Sequence, residues 1–323
     1  MNTTVSGLSE GIFWDFEEDK IARWLLDYYG LDEKLIPEIV DTFSDQGHVS
    51  AEGAMETGLT EGTPILYRAG DQPNNALSLN VFNPGEVAAT GGTSGVIYAI
   101  TDNLSVRESS RVNNFAHVNY SSGNMRIGKL LCVNGAGIMY RWLLNNLNIS
   151  SYSEMNELAK KVPIGSEGVV ILPFGNGPER MLDNKDLGAQ LENINLNIHN
   201  SSHLCRAALE GIAFSFVYGM EILKADGIKA NVIRAGNDNL FRSPIFSNTI
   251  ASLIDQEIEI YNTTGAIGAA RACQLHDGNY AAFGKQIMDN DYIMSYKPSS
   301  ANKEYKMAYE IWKNKLEITL KNN

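Results

Sequence analysis

Two short motifs combine an acidic residue with a glycine turn that carries hydroxyl groups. Residues 70–72 read Gly-Asp-Gln, and residues 91–95 read Gly-Gly-Thr-Ser-Gly. Phosphoryl transfer from ATP to an alcohol needs a carboxylate that accepts the alcohol proton, and N–H and O–H donors that hold the phosphate oxygens. The two motifs therefore predict Asp71 as a general base and residues 92–94 as contacts to phosphate.

Each motif also has an ordinary structural interpretation. An aspartate after a glycine is often a surface turn residue, because its side chain bonds to the nearby backbone. A Gly-Gly-Thr-Ser-Gly sequence between two apolar runs is often a plain hairpin turn. The catalytic interpretation gains weight from the order of the two motifs along the chain and from the sequence blocks described below.

Predicted strands place the motifs at strand ends. Residues 65–68 form a predicted strand, with Asp71 buried just beyond its carboxyl end. The pattern from Glu86 to Ile100 predicts two strands joined by the tight glycine turn. Farther along, a strand is predicted to pass into a helix at Gly135 and Gly137. Glycines there let a ligand approach the helix N-terminus, where free N–H groups favour phosphate.

The remainder of the chain alternates between helical and strand patterns. Residues 17–30 place apolar side chains on one helical face, and residues 202–226 form the longest predicted helix. From residue 231, strand, helix, strand and helix follow one another, and residues 303–321 predict a final helix. This alternation implies an α/β fold that binds ligands at the carboxyl ends of its strands.

Composition limits the partners and the compartment. The 323 residues carry a net charge of −12, which argues against a nucleic-acid binder, because such binding rests mainly on Lys and Arg. Three widely separated cysteines favour neither a disulfide framework nor a metal cluster, and the five histidines lack metal-ligand spacing. The start has no signal-peptide pattern, and no apolar run approaches the length of a membrane span. We expect a cytoplasmic protein without a membrane partner and without protein ligands for a metal.

Several separated blocks together resemble the FGGY carbohydrate kinases, most closely xylulokinase-like members. They are YRAGDQPNNALSLN (67–80), GGTSGVIY (91–98), RAALEGIAF (206–214), IRAGNDNLFRSPIFSNTIA (233–251) and TTGAIGAARA (263–272). The resemblance implies an actin-like (ribonuclease H-like) ATPase fold, in which two α/β domains close over a cleft. It also implies ATP-dependent phosphorylation of a sugar hydroxyl, with Mg²⁺.

Matching residues by position assigns roles within this family pattern. Asp71 matches the general base, which binds the sugar, and Gln72 is expected to help orient it. The resemblance also implies three groups of nucleotide contacts. The hairpin Gly92, Thr93 and Ser94 contacts the phosphates, and Gly135 and Gly137 lie beside the nucleotide. The loop Gly236, Asn237, Asp238 and Asn239 borders adenine and ribose.

One part of the family pattern is absent from this sequence. FGGY kinases begin with an Asp-x-Gly-Thr hairpin that helps to hold phosphate and metal, and no such segment precedes Asp71 here. We therefore expect residues 1–84 to be the C-terminal part of the sugar-binding domain, and residues 85–323 to be the complete ATP-binding domain.

The expected reaction converts D-xylulose to D-xylulose 5-phosphate. Another ketose, a sugar acid or a polyol stays open as substrate, because most of the discriminating residues would lie in the absent segment. A catalytically inactive nucleotide-binding or assembly module is the alternative from a different class. Two partner arrangements also stay open, namely a homodimer and a split kinase with its N-terminal half on a separate chain.

Overall fold

A computed structural model describes residues 2–104 and 106–323. The strands are β1 Asn2–Thr3, β2 Trp14–Asp15, β3 Lys20–Ile21, β4 Glu38–Ile39, β5 Glu86–Gly91, β6 Gly95–Thr101, β7 Asn113–Ala116, β8 Ile127–Val133, β9 Val170–Leu172, β10 Gln190–Glu192, β11 Val232–Gly236, β12 Ile258–Tyr261 and β13 Tyr292–Tyr296. The α-helices are α1 Val5–Glu10, α2 Arg23–Tyr29, α3 Ala51–Thr57, α4 Asp71–Ser78, α5 Gly137–Asn146, α6 Tyr152–Lys160, α7 Ser201–Ala225, α8 Pro244–Ile254, α9 Gly265–Ala272, α10 Tyr280–Asp291 and α11 Asn302–Asn322.

A seven-stranded mixed sheet forms the centre of the molecule, in the order β13-β12-β11-β5-β6-β8-β7. Strands β12, β11 and β5 are parallel, whereas β5, β6, β8 and β7 are each antiparallel to the next in that spatial order, and β13 is antiparallel to β12. Helices cover both faces. The α/β layering predicted from the alternation of patterns is thus confirmed.

Side-chain alternation along the strands builds two cores, one on each face of the sheet. On β5 and β6, Val87, Ala89 and Ile97 face a large core, while Ala88 and Tyr98 face a smaller one. Successive strand residues point to opposite faces, so a strand buried on both sides is apolar throughout. The large core lies beneath α5, α6, α7, α8 and α11, and the small core beneath α4, α9 and α10.

Helix α7 is the longest helix in the described part of the chain, as the sequence predicts. Asn200 caps its N-terminus, and its side chain accepts from the Ser202 N–H. Glu210 is buried in the middle of the helix. It is stabilised there by Arg206 Nε at 2.6 Å and by the Gly165 N–H, so both its charge and its lone pairs are satisfied.

The first part of the chain departs from the predicted elements. The predicted helix 17–30 is only Arg23–Tyr29, because residues 14–21 form the β2–β3 hairpin instead. Gly30 ends α2 in the left-handed conformation, as its position predicts. The predicted apolar face is not buried: Trp24 is 65% and Tyr28 is 78% exposed.

The predicted strand 65–68 is wrong, since these described residues carry no strand. Nearby, only Pro64 forms an isolated bridge, with His48. Asp71 instead begins helix α4, which packs against α9 and sends Ala76 and Leu77 into the small core. In the described residues, no helix is both long and apolar enough to cross a membrane.

Candidate active site

Three connections converge at one edge of the central sheet. Strand β8 is antiparallel to β6 and therefore runs parallel to β5 and β11. Their carboxyl ends, at Gly91, Val133 and Gly236, consequently lie at the same edge. Ligands of α/β sheets bind at this edge, because the strand connections there are free to form a site.

The glycine turn between β5 and β6 docks on the N-terminus of α5. The Gly137 N–H donates to the Gly92 carbonyl at 3.1 Å, and the Ile138 N–H donates to the Thr93 carbonyl at 3.0 Å. A Cβ atom at position 137 would lie 2.3 Å from that Gly92 oxygen, so only glycine fits. These helix N–H groups are used by the hairpin. The hairpin itself, with the exposed Thr93 at its tip, is the element that faces outward.

A cavity of about 550 Å³ lies beside this junction, within the range of about 300–1,000 Å³ for small-molecule sites. It is enclosed by the hairpin, by α5 and α6, and by the turn after β11. Its lining residues are Gly91, Gly92, Thr93, Gly137, Tyr140, Arg141, Tyr152, Ser153, Asn156, Asn239, Leu240, Arg242 and Ser243.

Four residues predicted from the sequence as nucleotide contacts line this cavity: Gly92, Thr93, Gly137 and Asn239. The others lie nearby but outside it. Ser94 is half-buried in the turn, and Gly236 is buried at the end of β11. The Asn237 N–H donates to the Tyr261 carbonyl, and its own carbonyl accepts from Arg242 Nε, so its backbone holds the loop.

Gly135 packs against protein backbone and does not line the cavity. A Cβ atom there would lie 2.2 Å from the Pro173 carbonyl oxygen. Its N–H donates to Glu179 Oε1 at 2.6 Å, and is therefore not free to bind phosphate. The close approach that the sequence predicts at this glycine exists, but the group that approaches is protein backbone.

Helices α5 and α6 and the start of α8 bring to the cavity polar groups that the sequence analysis missed. Tyr140 and Tyr152 stack with ring centroids 5.8 Å apart. Tyr140 Oη, Asn156 Oδ1 and Ser243 Oγ are buried and lack a hydrogen-bond partner among the described residues. Buried polar atoms without partners are rare, and each costs on the order of 1–3 kcal/mol. All three residues line the cavity and add polar groups to its wall.

Two cations also line the cavity. Arg141 on α5 and Arg242 after β11 are exposed, in a chain whose net charge is −12. Local positive charge of this kind favours an anionic ligand. Aromatic walls, unpaired polar atoms and arginines together fit a nucleotide, with its base, ribose and phosphates. In the described residues no group of three or more His, Cys, Asp or Glu side chains could hold a metal. Mg²⁺ that accompanies a nucleotide is held largely by phosphate and water, with one or two carboxylates.

Asp71 is the first residue of α4 and is exposed, with Gln72 half-buried beside it. The prediction of a buried aspartate at a strand end is therefore wrong. The helix dipole favours a negative charge at a helix N-terminus, the place that Asp71 occupies. Gly70 precedes it, in an extended conformation.

Glu10 lies against this turn and is a second carboxylate beside Asp71. A Cβ atom on Gly70 would be only 1.9 Å from Glu10 Cδ, so glycine is required for the contact. Burial and then the charge of Asp71 raise the pKa of Glu10, while the N–H groups of Gln72 and Asp71 act in the opposite direction. No sequence signal identified Glu10, because the contact joins positions 60 residues apart in the chain (70 − 10).

The charge of Asp71 also reaches the hairpin end of the sheet. The pKa of Cys132, one residue before the end of β8, is raised by burial first; Arg180 lowers it, and Glu179 and Asp71 raise it. Cys132 pairs with Val96, next to the hairpin residue Gly95. Geometry agrees: Asn74 Nδ2 on α4 donates to the Gly265 carbonyl at 2.8 Å, at the start of the helix that follows β12. The start of α4 therefore lies near the carboxyl ends of the strands, where the hairpin also lies.

The mixed sheet with helices on both faces makes this an α/β protein, and the solved structures that it matches place its fold in the actin-like ATPase class. Solved structures of this class match closely. A xylulose kinase from Rhodospirillum rubrum superposes with a TM-score of 0.85 at 22% identity, over 99% of this chain and 64% of that one. A glycerol kinase from Plasmodium falciparum, solved with ADP, gives a TM-score of 0.82 at 21% identity, over 99% and 63%. The predicted fold class is confirmed.

The chain belongs to the FGGY family of carbohydrate kinases, whose C-terminal domain model matches residues 87–275. It is 26% identical to a xylulose kinase of Haemophilus influenzae, over 90% of this chain and 58% of that protein. It is 27% identical to a gluconokinase of Bacillus subtilis, over 78% and 48%. The chain therefore spans about half to three fifths of the length of these curated relatives.

Proposed function

We propose that this chain supplies the nucleotide site and the catalytic aspartate of an ATP-dependent sugar kinase. The observation that carries the proposal is the arrangement at one sheet edge: an exposed aspartate at a helix N-terminus, a glycine hairpin, and a cavity lined by aromatic and arginine side chains. The favoured reaction forms D-xylulose 5-phosphate from D-xylulose. Xylulose kinases among both the curated relatives and the solved structures support this choice.

In the proposed mechanism the protein contributes alignment and proton removal. Asp71, held at the start of α4, accepts the proton of the sugar hydroxyl as that oxygen attacks the γ-phosphorus in line. Gln72 orients the sugar. The hairpin presents the backbone and hydroxyl groups of Thr93 and Ser94 to the transferred phosphate, and α5 fixes the hairpin through Gly92. MgATP, when bound, supplies the phosphoryl group and the metal charge that neutralises it.

The base and ribose are proposed to occupy the cavity between α5, α6 and the turn after β11. Tyr152 stacks on one side of the base, and Tyr140, Asn156 and Ser243 line the remaining wall. Asn239, with Gly236 and Asn237 behind it, forms the border of this site. Gly137 and Gly135 act by shaping the junction that carries the hairpin.

We divide the chain into residues 1–84, from the sugar-binding domain, and residues 85–323, the ATP-binding domain. The family match that begins at residue 87 supports this division. The whole reaction then needs the sugar-binding surface that the longer relatives carry. We place the protein in the cytoplasm. The three cysteines, all within the described residues, are free thiols, which suits a reducing compartment.

Other substrates fit the same site. A gluconokinase, a glycerol kinase and an autoinducer-2 kinase match at 25–27% identity, so a sugar acid, a polyol or another ketose is the alternative within this class. An inactive nucleotide-binding module is the alternative from a different class. It predicts MgADP binding without phosphorylation in any arrangement, including a homodimer or a complex with a separate N-terminal chain.

Nucleotide binding tests the proposal most directly. Isothermal calorimetry with MgADP should show one site, and Tyr152→Ala should weaken it about 5-fold, because a stacking aromatic contributes about 0.5–1.5 kcal/mol. Trp142→Ala is the matched control, since Trp142 is a half-exposed aromatic on α5 that does not line the cavity. Folded protein that binds no MgADP, or equal losses in both variants, would contradict the proposed site.

The 323 residues assayed alone should phosphorylate sugars far more slowly than the roughly 1–100 s⁻¹ of typical kinases. A cleft enzyme that lacks one wall neither excludes water nor aligns its two substrates. Coupled ADP-release assays across ketoses, gluconate and glycerol measure this turnover and rank the substrates. Turnover in the normal range would show that this chain contains the whole catalytic surface.

A further inference from the structure

One carboxylate is completely buried within the described structure and is not used by the proposed mechanism. Glu179 precedes the short 3₁₀ turn Arg180–Leu182, and its side chain is 0% exposed. Its Oε2 accepts from the Asn134 N–H at 2.9 Å, and its Oε1 accepts from the Gly135 N–H at 2.6 Å. A buried acid costs free energy unless hydrogen bonds compensate it, so its two partners identify what it stabilises.

Those partners form the connection between β8 and α5. The connection is held tightly on the side of Glu179: Asn134 Nδ2 donates to the Pro178 carbonyl at 2.9 Å, and Asn176 Nδ2 donates to the Asn134 carbonyl at 3.2 Å. Gly135 lies flat against the Pro173 carbonyl. The position of this connection is therefore set by the segment that carries Glu179.

Two residues farther along, the same connection holds the hairpin. Gly137 and Ile138 donate their N–H groups to the Gly92 and Thr93 carbonyls. The chain of contacts from the Glu179 carboxylate to the hairpin tip thus runs through four backbone hydrogen-bond donors on five successive residues, 134–138. A movement of the connection would move the hairpin.

We propose that Glu179 is a positioning residue, whose carboxylate fixes the β8–α5 connection and, through it, the Gly91–Gly95 hairpin that contacts nucleotide phosphate. The inference rests on the proposed nucleotide site for its functional readout, but its structural readout is independent of that site. No role for this residue follows from the sequence, because the carboxylate lies 45 and 44 positions from the Asn134 and Gly135 N–H groups that it binds.

The ionisation state of Glu179 gives the proposal a measurable signature. Burial raises the pKa of Glu179 to about 7, against the lowering effect of the Asn134 and Gly135 N–H groups. The charged or titratable groups around Glu179 are Cys132 on β8 and the neighbouring Arg180 and Lys185. The charge of Glu179 helps to raise the pKa of Cys132. The Arg180 and Lys185 side chains are directed to other acceptors, the Ser110 and Leu320 carbonyls. Protonation removes one acceptor from the connection and loosens it.

The sign of the pH effect differs for stability and for positioning. The pKa of Glu179 is raised in the folded state, so its contribution to the free energy of unfolding falls as pH rises from about 4.3 through 7. The hairpin, in contrast, is held best by the ionised carboxylate, above pH 7. Glu179→Gln should remove both effects, since an amide has one acceptor oxygen and does not titrate.

Nitrogen-15 NMR of the nucleotide-free protein from pH 5.5 to 8.5 tests the structural link. The amide signals of Asn134 and Gly135 should titrate with a midpoint near 7, and those of Gly92 and Thr93 should follow with the same midpoint. Glu179→Gln should abolish both. If the Asn134 and Gly135 signals titrate but the Gly92 and Thr93 signals do not, the proposal is overturned. The absence of any titration would also overturn it.

Calorimetry with MgADP then tests the functional consequence. Between pH 8 and pH 6, the MgADP affinity of the wild type should fall by a factor about 10 times larger than that of Glu179→Gln. Hydrogen bonds to a charged group contribute a free energy of this order. The titration of the nucleotide itself is common to both proteins and cancels. Glu210→Gln, which alters a buried carboxylate bonded to Gly165 elsewhere, is the control and should keep the wild-type slope.

The outcomes separate this inference from the proposed function. If wild-type protein binds no MgADP at any pH while the hairpin amides titrate with Glu179, the nucleotide site is refuted and the structural link stands. If MgADP binds and its pH slope is the same in wild type and Glu179→Gln, the positioning role is refuted. Should Glu179→Gln fail to fold, the wild-type NMR titration alone decides the link.

Discussion

Asp71→Asn should lower the turnover number of sugar phosphorylation by roughly 100-fold to 10,000-fold, the usual contribution of a general base. The measurement requires a protein that carries this chain and phosphorylates its sugar at a measurable rate. Asparagine keeps the size and hydrogen bonding of the side chain at the start of α4 but accepts no proton at neutral pH. The apparent affinity for sugar should change far less, because the loss falls on the transition state.

Glu52→Gln provides the matched control for this result. Glu52 is an exposed acid in the first turn of α3, so the substitution removes the same favourable charge from a helix N-terminus. It should leave turnover unchanged. Near-normal turnover in Asp71→Asn would mean that Asp71 is an ordinary surface acid, and equal losses in the two variants would point to a general electrostatic effect.

The sequence predicted those parts of the fold that are encoded by short-range periodicity. Helix α7 and the β5–β6 hairpin follow from apolar spacing and from a glycine turn, each of which acts within a few residues. The prediction of a strand at 65–68 was wrong, because an apolar run shows only that the segment carries apolar side chains that favour burial. Which neighbour buries it is decided by tertiary packing, and here no strand pairs with it in the described structure.

The candidate site divides in the same way. Gly92, Thr93, Gly137 and Asn239 were predicted because glycine-rich turns at strand ends leave a trace in the sequence. Tyr140, Asn156 and Ser243 were missed because they come from α5, α6 and the start of α8, and meet only after folding. Their individual patterns are those of ordinary helix residues. What distinguishes them is that they line one cavity, which only the structure shows.

Exposure of the α2 face illustrates the limit of an amphipathic pattern. The spacing of Trp24 and Tyr28 correctly places them on one side of a helix, four residues apart. The pattern does not say whether that side is covered, and both residues are exposed here. The prediction of a helix with one apolar face was therefore confirmed over Arg23–Tyr29, and that face is exposed.

Gly137→Ala should weaken MgADP binding by roughly 10-fold to 100-fold, the loss expected when displacement of the hairpin removes a hydrogen bond to a charged phosphate, about 1.5–3 kcal/mol. The added Cβ would lie 2.3 Å from the Gly92 carbonyl oxygen, so the hairpin or the start of α5 must move.

Gly137→Ala has two competing effects on the stability of the protein. Alanine favours a helix over glycine by about 1 kcal/mol, whereas overpacking costs about 1–3 kcal/mol. We expect the clash to dominate, with a lower melting temperature and a folded protein.

Calorimetry and thermal unfolding of Gly123→Ala complete the test. Gly123 has no atom within 4 Å of an added Cβ, so alanine enters there without a clash, and both MgADP affinity and melting temperature should match wild type. The proposed geometry requires the two effects of Gly137→Ala to occur together, since one displaced carbonyl causes both. Wild-type MgADP affinity in a destabilised Gly137→Ala protein would show that the hairpin can move without consequence for nucleotide. The hairpin would then be a structural turn, and the phosphate contact assigned to Thr93 would be wrong.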